Sequence, residues 1–170
     1  MHQAEARAEG RLTVESKTFG NGATIPKEFT AYGKDHSPAL RWSAPPDGTQ
    51  SFVVIMEDPD AAEPKPFVHW LLYNIPAASR ELPERIAKGR TTTEPVGALQ
   101  GENSKGIIGY FGPKPPPWKT HRYHFQVFAL NKKLELPPKA NRGEILQAMS
   151  DNVLAQGVLV GTYQQEKNEQ

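Results

Sequence analysis

A chain of 170 residues, 37% of them apolar, is long enough for one domain with an apolar core and short for two. Its net charge of +1 gives no long-range attraction to nucleic acid or to an anionic membrane, and the absence of cysteine excludes disulfides, thiolate nucleophiles and zinc-thiolate centres. The 16 prolines and 14 glycines interrupt the chain every few residues, which predicts short strands joined by long structured loops.

Residues 1–10 alternate Glu, Arg and Ala without the apolar centre of a secretory signal and are read as a tail; no later window reaches membrane-spanning length, so a cytoplasmic location is expected. One domain is expected over residues 11–163. It opens with Arg11-Leu-Thr-Val-Glu-Ser16, which alternates at period two and predicts a strand. Ser51-Phe-Val-Val-Ile-Met56 predicts a strand buried on both faces. Phe67-Val-His-Trp-Leu-Leu-Tyr73 and Tyr123-His-Phe-Gln-Val-Phe-Ala129 predict two more, being aromatic and β-branched between turn residues. Between them, residues 82–88 predict a short helix with Pro83 in its first turn and Gly89 at its end. A second helix is predicted after Asn141, with Glu144 completing a capping box, an apolar stripe of Ile145, Leu146, Met149, Val153 and Leu154, and Gly157 as the stop. Val158-Leu-Val-Gly-Thr-Tyr163 predicts the last strand, and residues 164–170 a second tail. Trp42, Phe52, Trp70, Phe125 and Phe128 are read as core, and His2, His36 and His124 as solvent-facing or structural.

Two segments carry the chemistry of a site. Asp58-Pro59-Asp60 follows a buried strand, and His69-Trp70 lies on the next, so two carboxylates and an imidazole would meet at one sheet edge. Pro59 fixes one backbone angle and restricts the residue before it, which holds the two acids. A plain Asp-Pro turn, with each carboxylate accepting local N–H groups, accounts for the same residues. The second segment, Gly109-Tyr-Phe-Gly112-Pro-Lys-Pro-Pro-Pro117, leads into Trp118-Lys-Thr-His121-Arg-Tyr-His-Phe125. A strand beginning at His121 puts His121, Tyr123 and Phe125 on one face and Arg122, His124 and Gln126 on the other. Gly112 beside a proline-stiffened loop can bring bare backbone N–H groups to an anion, whereas a polyproline segment that docks in an aromatic groove is the competing reading.

Ser37-Pro-Ala-Leu-Arg-Trp42, Asp58-Pro-Asp60 with His69-Trp70, Gly112-Pro113 with Pro115-Pro-Pro117, and His121-Arg-Tyr123 occur in the order and near the spacing of the phosphatidylethanolamine-binding protein family, known also through the Raf kinase inhibitor protein. The chain resembles this family from Leu12 to Tyr163. The bacterial and archaeal branch is the nearer, through Phe19-Gly-Asn-Gly22 with Ile25-Pro26, Gly97-Ala-Leu-Gln-Gly101, Val153-Leu-Ala and Val160-Gly-Thr-Tyr163. The resemblance implies a mostly β fold, a Greek-key β-sandwich with a C-terminal α-helix. It also implies a shallow pocket for phosphate, acetate or a phospholipid head group on Asp58, Asp60, His69, Gly112, His121 and Tyr123, supported by Pro59, Pro113, Pro115 and Pro116. The loop from Asp60 to His69 is shorter than in the eukaryotic branch, and Phe67 stands where many members place a tryptophan or histidine at the rim.

Two carboxylates would repel an anion, so His69 and His121 are expected to be at least partly protonated beside Asp58 and Asp60 while the Gly112 loop and Tyr123 donate to the ligand, and a phosphate that keeps a proton can donate to Asp58. The expected function is reversible binding of a small anion or phosphorylated head group, with a regulatory or inhibitory contact to an unidentified protein through the rim and the 113–118 loop. Homodimerisation is plausible for this branch; nucleic acid is not expected, and no catalytic residue, metal ligand or cofactor is assigned. The alternative is a hydrolase, or a metal-binding protein, built on the Asp/His cluster. Against it, no serine sits in a nucleophile elbow, and the histidines form no local metal motif.

Overall fold

Runs of β-branched and aromatic side chains, closed off by proline and glycine, form nearly all of the regular structure. The computed structural model describes residues 10–166. In chain order the strands are β1 (Gly10–Arg11), β2 (Val14–Glu15), β3 (Leu40–Trp42), β4 (Ser51–Asp58), β5 (Phe67–Pro76), β6 (Glu81–Leu82), β7 (Leu99–Gln100), β8 (Thr120–Leu130) and β9 (Val153–Gln164). One α-helix, α1 (Arg142–Met149), lies between β8 and β9, so the fold is mostly β with one short helix. The order β1-β9-β8-β4-β5-β7 makes a six-stranded sheet, parallel at β1 and β9 and antiparallel elsewhere, and β2-β3-β6 makes a three-stranded antiparallel sheet.

The larger sheet is covered on both faces, which is why every residue of β4 is buried. On one face Phe52, Val54 and Met56 pack with Trp70, Phe125 and Leu159 against Val14, Leu40, Trp42 and Leu82 of the smaller sheet. On the other, Val53 and Ile55 join Leu71, Tyr73 and Phe128 beneath Ile145 and Met149 of α1. The five aromatics assigned to the core are all buried. His36 is bonded to Glu28 at 3.2 Å, His124 is half-buried on the far face of β8, and His2 lies outside the described residues.

Several elements depart from the sequence expectation for physical reasons. The strand expected over residues 11–16 is two, because the chain passes from the larger sheet at β1 to the smaller at β2. Leu12 N donates to Gln156 O at 2.9 Å at that crossing, and a Cβ on Gly157 would lie 2.0 Å from Leu12 O. Gly157 therefore admits a crossing chain within β9 and does not stop a helix. The capping box forms as expected, with Asn141 Oδ1 accepting from Glu144 N at 2.9 Å and Glu144 Oε1 accepting from Asn141 N at 3.0 Å. The helix nevertheless ends at Met149, and Asp151 takes a φ of 70° as the chain turns into β9. Val153 keeps company with the helix stripe because it packs in the same core cluster from a strand. Residues 82–88 are not helical: Arg85 N and Ile86 N donate to Ser37 O and Ser37 Oγ, both at 3.0 Å, instead of to carbonyls one turn back. Of the expected tails, Gly10 pairs with Ala155 in β1 and Gln164 ends β9; residues 1–9 and 167–170 lie outside the described residues.

Candidate functional site

The antiparallel register of three neighbouring strands gathers the site. β4 ends where β5 begins, with Asp58 opposite Phe67, and Glu57 also faces His124 near the start of β8. Asp58, Phe67, His69, His121 and Tyr123 thereby line one cavity of about 350 Å³ at this end of the sheet. Phe111, Pro115 and Pro116 add apolar wall, and Lys105 and Lys114 stand at its edge.

Asp58 and His121 are both nearly inaccessible, and the Nδ1–H of His121 donates to Asp58 Oδ2 at 2.7 Å. The other oxygen, Asp58 Oδ1, accepts from Asp60 N at 2.8 Å, so the carboxylate is held at both ends and His121 retains Nε2 for other partners. His69 Nδ1–H donates to Phe111 O at 2.5 Å, leaving its lone pair on Nε2. Burial lowers the His69 pKa to about 4, against smaller opposing effects of the Phe111 carbonyl and the Asp58 charge. The His69 ring stacks on Phe111 with centroids 5.6 Å apart, lies 4.9 Å from Phe67, and meets Tyr123 edge-on at 5.3 Å.

The Tyr123 hydroxyl is buried and has no hydrogen-bond partner. Burial first and the Asp58 charge second push its pKa up, so it remains a proton donor at any ordinary pH. Buried donors are almost always satisfied, and one left open on a cavity wall is a group with a partner still to come.

Three expectations change. Asp60 does not line the cavity: its oxygens accept from Arg122 N, Nε and Nη2 at 2.8, 3.0 and 2.8 Å. The Arg122 guanidinium lowers its pKa to about 2, so arginine, not a protonated histidine, neutralises the second carboxylate. His69 is a neutral imidazole near neutral pH rather than a cation. Gly112 N–H already donates to Asp35 Oδ1 at 2.6 Å, so it is not a bare donor awaiting an anion. A Cβ there would lie 2.5 Å from Phe29 O and 2.9 Å from Asp35 Oδ1, so glycine serves the close passage of two backbone segments. Ala31 N to Pro113 O at 2.9 Å and Tyr32 Oη to Pro115 O at 2.6 Å continue the clamp that places the proline wall. Pro59 sets the Asp58 to Asp60 turn without lining the cavity.

Sequence reasoning missed Asp35 and Lys105, and gave Phe111, inside the second segment, no role of its own. Asn103 shapes the loop that carries Lys105 and leads to Phe111: its Oδ1 accepts from Lys105 N and Ile107 N at 2.9 and 3.0 Å, and its Nδ2 donates to Gly109 O at 3.0 Å. Their only signal in the sequence is nearness to the proline segment or its partner loop. Among the lining residues the single hydroxyl is that of Tyr123. Among the described residues, no helix is long and apolar enough to cross a membrane.

Comparison with known proteins places these features. The family model described as phosphatidylethanolamine-binding protein matches residues 15–164. The chain is 45% identical over 157 residues to a UPF0098 protein of Aquifex aeolicus, covering 91% of this chain and 90% of that one. A Mycobacterium tuberculosis relative, whose name proposes a lipoprotein, LppC, is 37% identical over 160 residues, or 94% of this chain and 75% of the relative. The crystal structure of Escherichia coli YbcL, described as a new member of the mammalian PEBP family, matches with a TM-score of 0.84 at 31% identity, over 92% of this chain and 100% of YbcL.

Proposed function

The chain belongs to the phosphatidylethanolamine-binding protein family, of the bacterial and archaeal type, and from that premise we propose that its cavity reversibly binds a small anion or a phosphorylated head group. Membership supports ligand binding in general; the chemistry of the ligand is inferred from the lining. The observation that carries the inference is the unpartnered Tyr123 hydroxyl, buried beside His121 in a cavity edged by Lys105 and Lys114. An anion oxygen satisfies that donor, His121 Nε2–H adds a second bond when protonated, and the two ammonium groups supply attraction at the mouth. Neutral His69 offers a lone pair, which suits a phosphate that keeps one proton. Asp58 serves by orienting His121 and not by touching the ligand.

This arrangement favours binding over hydrolysis. The one lining hydroxyl is held protonated, and no serine or threonine lies on the wall to act as nucleophile. A cytoplasmic location remains our reading, and membrane fractionation of cells decides between it and the anchored arrangement that the name of the mycobacterial relative proposes.

Calorimetric titration with inorganic phosphate tests the reading. Wild type binds, and Tyr123→Phe binds about 10- to 100-fold more weakly, the value of one hydrogen bond to a charged group. Affinity also falls as pH rises past the second ionisation of inorganic phosphate, when the ion gives up the proton whose hydrogen bond His69 accepts. Equal affinity of the two proteins contradicts the assignment.

A further inference from the structure

Among the described residues, Trp118 is the one large aromatic side chain that the fold leaves mostly exposed, at 71%, and it does so against its own backbone preference. Its φ is 66°, in the left-handed region. Lys119 N donates to Pro116 O at 3.3 Å, so Trp118 holds the third position of a tight turn, the place where a positive φ usually selects glycine. A tryptophan there gains no burial to offset the strain. Exposure of one apolar residue is ordinary, but a backbone held in this region without burial to offset it points to a role for the side chain outside the chain.

The turn continues directly from Pro115 and Pro116, which line the cavity, and Lys114 and Lys119 flank it. Lys105 lines the same cavity, with its ammonium 5.7 Å from the Phe111 ring. Among the described residues, Lys105, Lys114 and Lys119 make no ion pair with a carboxylate. The other exposed large apolar residues among those described, Val96 and Val158, do not line this cavity, so the lining contributes two ammonium groups and the adjoining turn one indole and a third lysine. A protein partner needs a broad contiguous patch with an apolar centre. A bilayer interface needs an indole at head-group depth and ammonium groups facing lipid phosphates, which is what this face supplies.

We propose that the Pro116 to Lys119 turn is an interfacial anchor: Trp118 and its neighbouring lysines seat the cavity mouth on a bilayer carrying anionic phospholipid, and the cavity then takes a lipid head group. The proposal rests on the anion-binding reading above and names the source of the anion as a lipid in a surface. The net charge of +1 gives little long-range steering, so contact depends on these local groups and weakens with salt.

The test compares wild type with Trp118→Gly, a change that relieves the strained φ and leaves the cavity wall intact. Both are examined by phosphate calorimetry, thermal melting and cosedimentation with phosphatidylcholine vesicles, with and without phosphatidylglycerol. Wild type sediments with the phosphatidylglycerol vesicles, less so at high salt, and its tryptophan emission shifts to the blue; Trp42 and Trp70 are already buried, so the shift reports Trp118. Trp118→Gly melts no lower, keeps its phosphate affinity and loses vesicle binding about tenfold or more, as expected for removal of the principal anchor. Equal vesicle binding by the two proteins overturns the proposal. So does wild-type binding to phosphate but to neither vesicle, or self-association through Trp118 without vesicle binding, which would assign the turn to a second copy. Failure of phosphate to bind either protein removes the anion reading, and this one with it.

Discussion

Burying the Tyr123 hydroxyl without a partner costs roughly 1–3 kcal/mol in the empty protein, a cost that a hydrogen-bonding ligand removes. Tyr123→Phe should therefore separate stability from binding: urea denaturation should show a gain of about 1 kcal/mol in the same variant that binds phosphate less well. His69 acts on stability through protons. Its pKa is about 4 in the folded chain against 6.5 for the free side chain, so between those values the unfolded chain binds more protons and stability falls as pH drops. The contribution is complete above about pH 6.5 and is lost progressively toward 4, on the order of 3 kcal/mol in all. Asp60 follows at lower pH, because its stabilisation by Arg122 is present above the ordinary carboxylate pKa of 3.8 and is lost toward 2. Denaturation midpoints measured from neutral pH down to about 4 should fall more steeply for wild type than for His69→Gln, which lacks the titrating ring. Parallel curves would mean that His69 is not held neutral by burial. The sequence reading erred at this scale because it neutralised Asp60 with the nearest histidines. Arg122 was read as pointing away from the site, yet it reaches Asp60 with its guanidinium as well as its backbone N–H.

At the scale of elements, the clamp between residues 29–35 and 110–115 fixes the proline wall. A Cβ at position 112 collides with backbone on the opposing segment, so Gly112→Ala should destabilise by roughly 1–3 kcal/mol in chemical denaturation. It should also weaken phosphate binding although residue 112 does not line the cavity, because Pro115, Pro116 and Lys114 move with it. A variant with unchanged stability and affinity would show that the clamp positions nothing. Asp35 was illegible beforehand because it is 77 residues from Gly112 and its carboxylate looks like any loop aspartate. The end of α1 was illegible for a different reason. Apolar spacing reports which residues share a core, and Val153 shares the helix's core while belonging to β9. The capping box, by contrast, depends only on residues three apart and was read correctly.

For the whole molecule, the strand order β5-β4-β8 does most of the work of making a site. Period-two alternation already placed His121 and Tyr123 on one face of β8, and the motifs in family order identified the chain ends that had to meet. What no spacing revealed is how the pocket's charges are settled. Asp58 is bound to His121, Asp60 to Arg122, and the free positive charge sits on lysines at the mouth. The most direct trial of that account is a crystal structure of the protein grown in phosphate. The account predicts an ion inside the cavity, within hydrogen-bond distance of Tyr123 Oη and His121 Nε2, with Asp60 still on Arg122. A well-ordered cavity without the ion, under conditions where phosphate binds elsewhere on the protein, would contradict it.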